Sequence, residues 1–354
     1  MSALEGMFKR PVEWMKAEGP ASDVVVSSRL RLARNLAGFH FNQKLTPARR
    51  REIIGLVEDA VKKSPSFKKA YFLKSADLNE LDRQFLLERH MISREHAEEK
   101  NENAVLITSD ENVSVMVLEE DHLRLQVFQS GLQLTEAWKK ISKLDDDLEK
   151  KLTYSFSLNL GYLTACPTNV GTGLRASCML HLPGLVLTKQ VHKVLQALAK
   201  LNLAARGLYG EGTQASGNLF QFSNQMTLGQ KEEEIIDNLE RVIGQVVEHE
   251  KEARTLFTQK KQAKVEDQIW RAVGILKTAR VIASGEATQL LSLVQLGVST
   301  GLVKTDLKLP DLNSLFLLIQ PAHLQKASGS GLSAAERDES RARLIREKLS
   351  GIQL

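Results

Sequence analysis

The chain has 354 residues, 42% of them hydrophobic and 26% charged, an ordinary soluble globular composition with room for two or three domains. A formal net charge of +5 suits anionic ligands without marking nucleic acid, and 5% aromatic content without an aromatic-interleaved basic stripe counts against single-strand binding. The two cysteines form no CxxC or metal-ligand spacing, no signal pattern or 18-residue apolar run occurs, and no histidine sits in HExxH. A cytoplasmic protein with no membrane span and no protein-ligated zinc is expected.

Residues 1–22 read as a leader with a helical turn, stopped by Gly19 and Pro20. A β-branched strand, 24–26, then runs into Ser27, Ser28, Arg29, Leu30, Arg31, Leu32, Ala33 and Arg34. If the strand continues, Arg29 and Arg31 share a face, as a solvated basic edge or as a grip for an anion. Residues 46–63 fit an amphipathic helix with Ile53, Ile54, Val57 and Val61 inward, Thr46 as N-cap and Pro47 in first place. A second helix is expected over 79–89, followed by His90, which by position alone reads as structural.

Strands at 104–108 and 113–118 lead to Glu119, Glu120 and Asp121, after which residues 123–127 alternate. This predicts a hairpin with an acidic bend, open to a plain reading as a solvated turn. A charged helix at 134–152 and a strand at 154–163 precede Cys166. There Pro167, Thr168 and Asn169 are followed by Gly171, Thr172, Gly173 and Arg175. The glycines permit close backbone approach, and the arginine's planar fork suits a phosphate. Neither a P-loop nor a dinucleotide fingerprint is present, and Gly-Thr-Gly alone also fits a plain turn. Cys178 alternates into an apolar strand and reads as core.

Next come a helix at 188–201, a strand at 203–209 containing Arg206, and a glycine-rich loop with Glu211 at its tip. A strand at 218–222 and one long helix at 231–260 follow. The polar run 259–264 reads as a boundary, beyond which helices at 266–284, 286–298, 311–319 and 333–349 form a separate bundle. Strands without regular βαβ alternation predict an α+β fold with a mostly antiparallel sheet. Arg29, Arg31, Arg124, Arg175 and Arg206 each fall at or near a strand end, while Glu119, Glu120, Asp121 and Glu211 occupy two turns. Arginines for a polyphosphate and carboxylates for a cationic acceptor are the parts of a kinase acting on a guanidinium.

The strings SRLR at 28–31, EEDHLR at 119–124, CPTNVGTGLRAS at 166–177, Arg206 with Gly207, and Ser223 with Asn224 resemble the phosphagen (guanidino) kinases, in the same order, over about residues 22–255. The resemblance implies their catalytic fold, an antiparallel sheet flanked by helices. It implies that the five arginines clamp ATP, with Ser27, Ser28, Leu30, His90, Ala176, Ser177, Cys178, Met179, Gly207, Leu208, Tyr209 and Gly210 along the nucleotide. Glu120 and Glu211 would hold the guanidinium, Glu120 serving as base, and Cys166 would lie beside the substrate. Mg²⁺ would bridge the ATP phosphates, with no direct protein ligand and Glu119 and Asp121 candidates for holding its waters.

Two features depart from the phosphagen kinases. The basic-aromatic run after the arginine is Cys178, Met179, Leu180 and His181 here, and a short leader at 1–22 stands where those enzymes have a helical domain. With a catalytic domain at 23–260 and a helical regulatory domain at 261–354, the layout looks like the bacterial protein arginine kinases. That branch implies transfer of the ATP γ-phosphoryl group to arginine side chains of proteins, in stress response and degradation marking. Its partners would be proteins with exposed arginines, an activator protein, protease machinery and further copies of the chain. The alternatives are a kinase for free arginine or a related guanidine, and a catalytically silent phosphoarginine-binding adaptor. At the tail, Ser333 and Glu336 form a capping box, and Arg337, Asp338 and Arg341 lie on neighbouring helix positions. Alone this fits a salt-bridged surface. The Arg-Asp-x-x-Arg-Ala string resembles the branch's phosphoarginine receptor and implies an allosteric site at Arg337, Asp338, Ser340, Arg341 and Ala342.

Overall fold

In the computed structural model, which describes residues 3–8, 10–207, 216–259 and 263–353, eight strands form one wholly antiparallel sheet. These are β1 (Val25–Arg34), β2 (Ala70–Lys74), β3 (Ala104–Thr108), β4 (Val113–Val117), β5 (Leu123–Ser130), β8 (Leu174–His181), β9 (Leu203–Gly207) and β10 (Leu219–Asn224). Their order is β2-β3-β4-β5-β1-β8-β10-β9. A small hairpin of β6 (Phe156–Ser157) and β7 (Gly161–Tyr162) stands apart. The helices are α1 (Ala3–Phe8), α2 (Pro47–Lys62), α3 (Glu80–Glu88), α4 (Arg94–Glu98), α5 (Leu134–Glu149), α6 (Pro183–Leu187), α7 (Val191–Lys200), α8 (Glu232–Gln259), α9 (Ala263–Thr278), α10 (Ser284–Ser299), α11 (Leu309–Leu318), α12 (Pro321–Ser328) and α13 (Ala334–Lys348). No helix among the described residues is long and apolar enough to cross a membrane.

Alternation along β1 and β8 gives the sheet two different faces. Leu30, Leu32, Leu174, Ala176 and Cys178 point into a core closed by α2, α5 and α8, through Ile53 and Val57, Ile141 and Leu144, and Ile236 and Leu239. Val26, Phe128, Met179 and Leu219 belong to a second cluster on the opposite side. Trp14 and Met15, α3 and the C-terminal helices cover that cluster. The C-terminal helices form the expected all-helical region, and its core continues onto this face of the sheet. Glu88 receives the Ala322 and His323 amides at the start of α12 (2.7 and 3.1 Å), where a helix N-terminus favours an anion. Arg89 forks onto Glu111 (2.6 and 2.7 Å), and His181 Nε2 meets Ser292 Oγ at 2.7 Å.

Burial disfavours protonation of five histidines: His90 is pushed down to about 3, and His96, His122, His181 and His323 also lie below the usual 6.5. Below pH 6.5 the unfolded chain takes up protons more readily than these sites do. Stability is then lost as pH falls, by up to about 1.4 kcal/mol per pH unit for each site. Glu111 and Glu250, raised by burial, oppose part of this, because a raised carboxyl stabilises below its ordinary range. Urea titrations from pH 7 to 5 should give a falling unfolding free energy steeper than one proton accounts for; a flat profile contradicts the assignment.

Several elements differ from expectation. β2 was not expected, because edge strand Ala70–Lys74 is only half-buried and its sequence hardly alternates. The strand expected over 154–163 is instead a bridge at Tyr154 and the β6–β7 hairpin. Short helices α4, α6 and α12 lie in stretches too brief for periodicity to register.

Candidate functional site

Strand register assembles the site. Arg31 lies opposite Arg175 on β8, and Ala33 opposite Arg124 on β5. Arg29 lies opposite Ser177, and Arg206 reaches the same face from β9 through Gln221. Arg31, Arg124, Arg175 and Arg206 line one open cavity of about 170 Å³ with Ala33, Glu120, Cys166, Thr168, Asn169 and Gly173. Residues separated by more than 170 positions thus meet in one pocket.

The cations press on one another. Burial, then repulsion from Arg124, pushes Arg29 down to about 9. Arg31 is held well below its ordinary value by burial and by Arg29, Arg124 and Arg175. Arg175 is lowered by burial, Arg206 and Arg124. An arginine does not deprotonate in a protein, so these directions record repulsion that a bound anion relieves. The Nε atoms of Arg31 and Arg175 are buried without a partner, which fits phosphate oxygens as the absent acceptors. Arg29 is oriented by Gln126, whose Oε1 accepts from its Nε at 3.1 Å, and lies over the Phe128 ring.

The three carboxylates of the bend divide. Glu119 is buried, pairs with Arg124, and accepts from Ser93 Oγ (2.6 Å) and the Glu120 amide (2.8 Å). Asp121 is buried and accepts from Asn35 Nδ2 and the Ala165 amide, both at 2.6 Å. Only Glu120 is exposed, and its side chain makes no hydrogen bond among the described residues. Its pKa is raised by burial of the carboxyl, then by Asp121. Glu119 and Asp121 therefore brace the bend, through both oxygens of Glu119 and through Oδ1 of Asp121. His122 is structural too, accepting from the Leu36 amide at Nδ1 (3.0 Å) and donating from Nε2 to the His40 carbonyl (2.8 Å).

The residues expected along the nucleotide divide between the two faces of the sheet. Side chains of Ser28, Leu30, Ala176 and Cys178 point to the helix-covered core, since alternate residues cannot face the arginines. Burial raises the Cys178 thiol to about 12. Ser27, Ser177 and Met179 do lie on the arginine face, around a small gap with Trp14, Arg29, His90 and Gln221. The His90 and Trp14 rings are 5.2 Å apart. Leu208, Tyr209, Gly210 and Glu211 lie outside the described residues, while Gly207 ends β9.

Sequence reasoning missed Trp14, Gln126, Asn35 and Arg34, whose roles depend on tertiary contacts. Arg34 is buried against Asp145 (2.7 Å), donates to the Thr172 carbonyl (2.9 Å) and lies 3.5 Å from the Tyr162 ring centre. It ties the Gly-Thr-Gly loop to α5. Asn224, part of a quoted motif, receives the Ala176 amide on Oδ1 (2.8 Å) and so helps set β8.

On α13 the capping box forms as expected, and Arg337 and Arg341 have different surroundings. Arg341 is buried, donates to the Ile319 and Ile282 carbonyls (both 2.8 Å) and pairs with Asp338, so it pins α13 to its neighbours. Ala342 is buried behind it. Arg337 donates to the Leu332 carbonyl at 2.8 Å. Ser340 lines a surface cavity of about 480 Å³ with Arg280, Arg343, Arg346, Glu336 and Glu339.

Four arginines around one cavity beside an uncommitted carboxylate define a phosphotransferase for a cationic acceptor. Residues 52–253 match the family described as ATP:guanido phosphotransferase, C-terminal catalytic domain, and residues 262–353 match the Protein-arginine kinase McsB C-terminal domain. The chain is 46% identical over 350 residues to the protein-arginine kinase of Halothermothrix orenii, covering 99% of this chain and 100% of that protein. It is 50% identical over 343 residues to that of Symbiobacterium thermophilum, covering 95% and 96%. The duplicated taurocyamine kinase of Schistosoma mansoni superposes with a TM-score of 0.60 at 27% identity, covering 66% of this chain and 34% of that one. Lombricine kinase superposes at 0.58 and 22%, covering 65% and 67%, a likeness of fold alone. The protein is a guanidino phosphotransferase. Within that class, it belongs to the protein-arginine kinase family.

Proposed function

We propose that the chain transfers the γ-phosphoryl group of ATP to arginine side chains of proteins. The observation that carries this is the single cavity where mutually repelling arginines, two of them with buried and unpartnered Nε atoms, meet Glu120, the one free carboxylate of its bend. Arg29, Arg31, Arg124, Arg175 and Arg206 hold the triphosphate and take up charge as the phosphoryl group moves. Glu120 orients the guanidinium nitrogen in line with the γ-phosphorus. Removing the guanidinium proton beforehand at pH 7 costs about 8 kcal/mol, given an arginine pKa near 12.5–13.8. Glu120 therefore takes the proton as the N–P bond forms. Cys166 lies beside the acceptor, its Sγ 3.0 Å from Thr168 Oγ1, and Glu211 is the second acceptor carboxylate. Mg²⁺, when bound with the nucleotide, would supply charge neutralisation on the phosphates.

The test is mass spectrometry of an ATP-treated protein mixture, under conditions that spare acid-labile N–P bonds, beside free arginine as acceptor. Phosphoarginine in proteins with little free phosphoarginine supports the reading; turnover of free arginine alone refutes it. Degradation marking under stress, an activator, protease machinery and self-assembly belong to the same proposal. So does phosphoarginine capture at Arg337, Asp338, Ser340, Arg341 and Ala342. Arg337→Ala/Asp338→Ala should weaken binding of a phosphoarginine peptide about tenfold; unchanged affinity removes these residues from the site.

A further inference from the structure

Half of the exposed large hydrophobic side chains among the described residues fall in two short segments. These are Phe156, Leu158 and Leu160 on the β6–β7 hairpin, and Met226 and Leu228 after β10. Leu158, at 97% exposure, touches almost nothing. The segments meet beside the acceptor pocket. Tyr162 and Gly171 exchange backbone hydrogen bonds (2.8 and 3.4 Å), and Thr227 Oγ1 donates to the Thr168 and Val170 carbonyls (3.0 and 2.7 Å). Backbones stack so closely that a Cβ on Gly161 would lie 2.5 Å from the Gly171 carbonyl oxygen, and one on Gly171 2.8 Å from the Leu228 Cα. Both glycines have positive φ, 73° and 110°, which further favours residues without a side chain. Hairpin, post-β10 turn and the Cys166–Asn169 wall of the pocket are thus one hydrogen-bonded unit.

This rim carries no charge. In a chain that is 26% charged, residues 152–174 and 216–230 contain no Asp, Glu, Lys, Arg or His. A neutral apolar collar neither attracts nor repels the charges around an acceptor arginine, but it recovers free energy when apolar side chains cover it. From this continuity with the acceptor pocket we infer that the collar Phe156, Leu158, Leu160, Met226 and Leu228 docks apolar residues flanking the acceptor arginine in a polypeptide. The substrate class is then an arginine within an apolar segment of the kind a folded protein buries. The inference rests on the reading that the acceptor belongs to a polypeptide.

Two labelled peptides of equal charge test it, each with one arginine, flanked by leucine and phenylalanine in one and by serine and glycine in the other. Wild type should bind the apolar peptide about tenfold more tightly, the effect of burying one or two large side chains. Leu158→Ser/Leu228→Ser should abolish that advantage in Kd and KM, leave kcat and the polar peptide unchanged, and be rescued by Leu158→Met/Leu228→Met. Equal affinity of wild type for the two peptides overturns the proposal. So does a variant that changes only the sedimentation coefficient, which makes the collar a contact between copies of the chain. If wild type phosphorylates neither peptide yet binds them differently, the kinase reading fails while the docking surface stands.

Discussion

Glu120→Gln should reduce kcat by about 10² to 10⁴, the usual contribution of a positioned acid or base, while leaving ATP affinity and the fold intact. The neutral amide keeps the shape but cannot hold the guanidinium cation or receive its proton. Neighbouring Glu119 and Asp121 do not substitute, because their carboxylates are fixed by Arg124, Ser93, Asn35 and backbone amides. The pH profile carries a second signature. Burial and Asp121 raise the Glu120 pKa, and the ionised form is the active one. The acid limb of kcat/KM should therefore sit above the ordinary carboxylate range and move when Asp121 is changed to Asn. The sign for stability is opposite: a raised carboxyl stabilises below its unfolded pKa and loses that contribution as pH rises through its folded value. Near-normal turnover by folded Glu120→Gln would falsify the assignment.

What the sequence made legible was periodic or local. The alternation of β1 put Arg29 and Arg31 on one face, and the structure extends that face to Arg175, Arg124 and Arg206 by register. Thr46 caps α2 and Ser333 caps α13, because a capping oxygen needs only a donor three residues away. Choosing among Glu119, Glu120 and Asp121 was beyond local pattern. Their fates depend on Ser93, Asn35 and Ala165, each distant in sequence. The same limit applied to the tail. Arg337 and Arg341 lie four residues apart as expected, but only packing against the carbonyls of Ile282 and Ile319 shows that Arg341 is a buried tie. Likewise Trp14, in a segment read as a leader, packs on Phe128 and His90 within the main structure.

Arg31→Met should make the protein more stable without ligand and nearly unable to bind ATP. Arg31 is the centre of the cluster, paired by register with Arg175 and pressed by Arg29, Arg124 and Arg175. Its Nε is buried without an acceptor, and its charge has no hydrogen-bonded anion among the described residues. Replacing such a charge by an apolar chain of similar length removes desolvation and repulsion together, a change worth about 1–4 kcal/mol where buried ion sets have been replaced. With ATP present the sign reverses. Loss of a charge-assisted contact costs about 1.5–3 kcal/mol, or about 10- to 150-fold in affinity. Since a ligand stabilises in proportion to RT ln(1 + [L]/Kd), wild type should gain Tm strongly with ATP and Arg31→Met little. Inorganic phosphate should act in the same direction more weakly, by relieving the same repulsion. Thermal melts of both proteins, with and without ATP, give all four numbers. A destabilised Arg31→Met protein, or one with an undiminished ATP shift, would mean that Arg31 braces the sheet and does not grip phosphate.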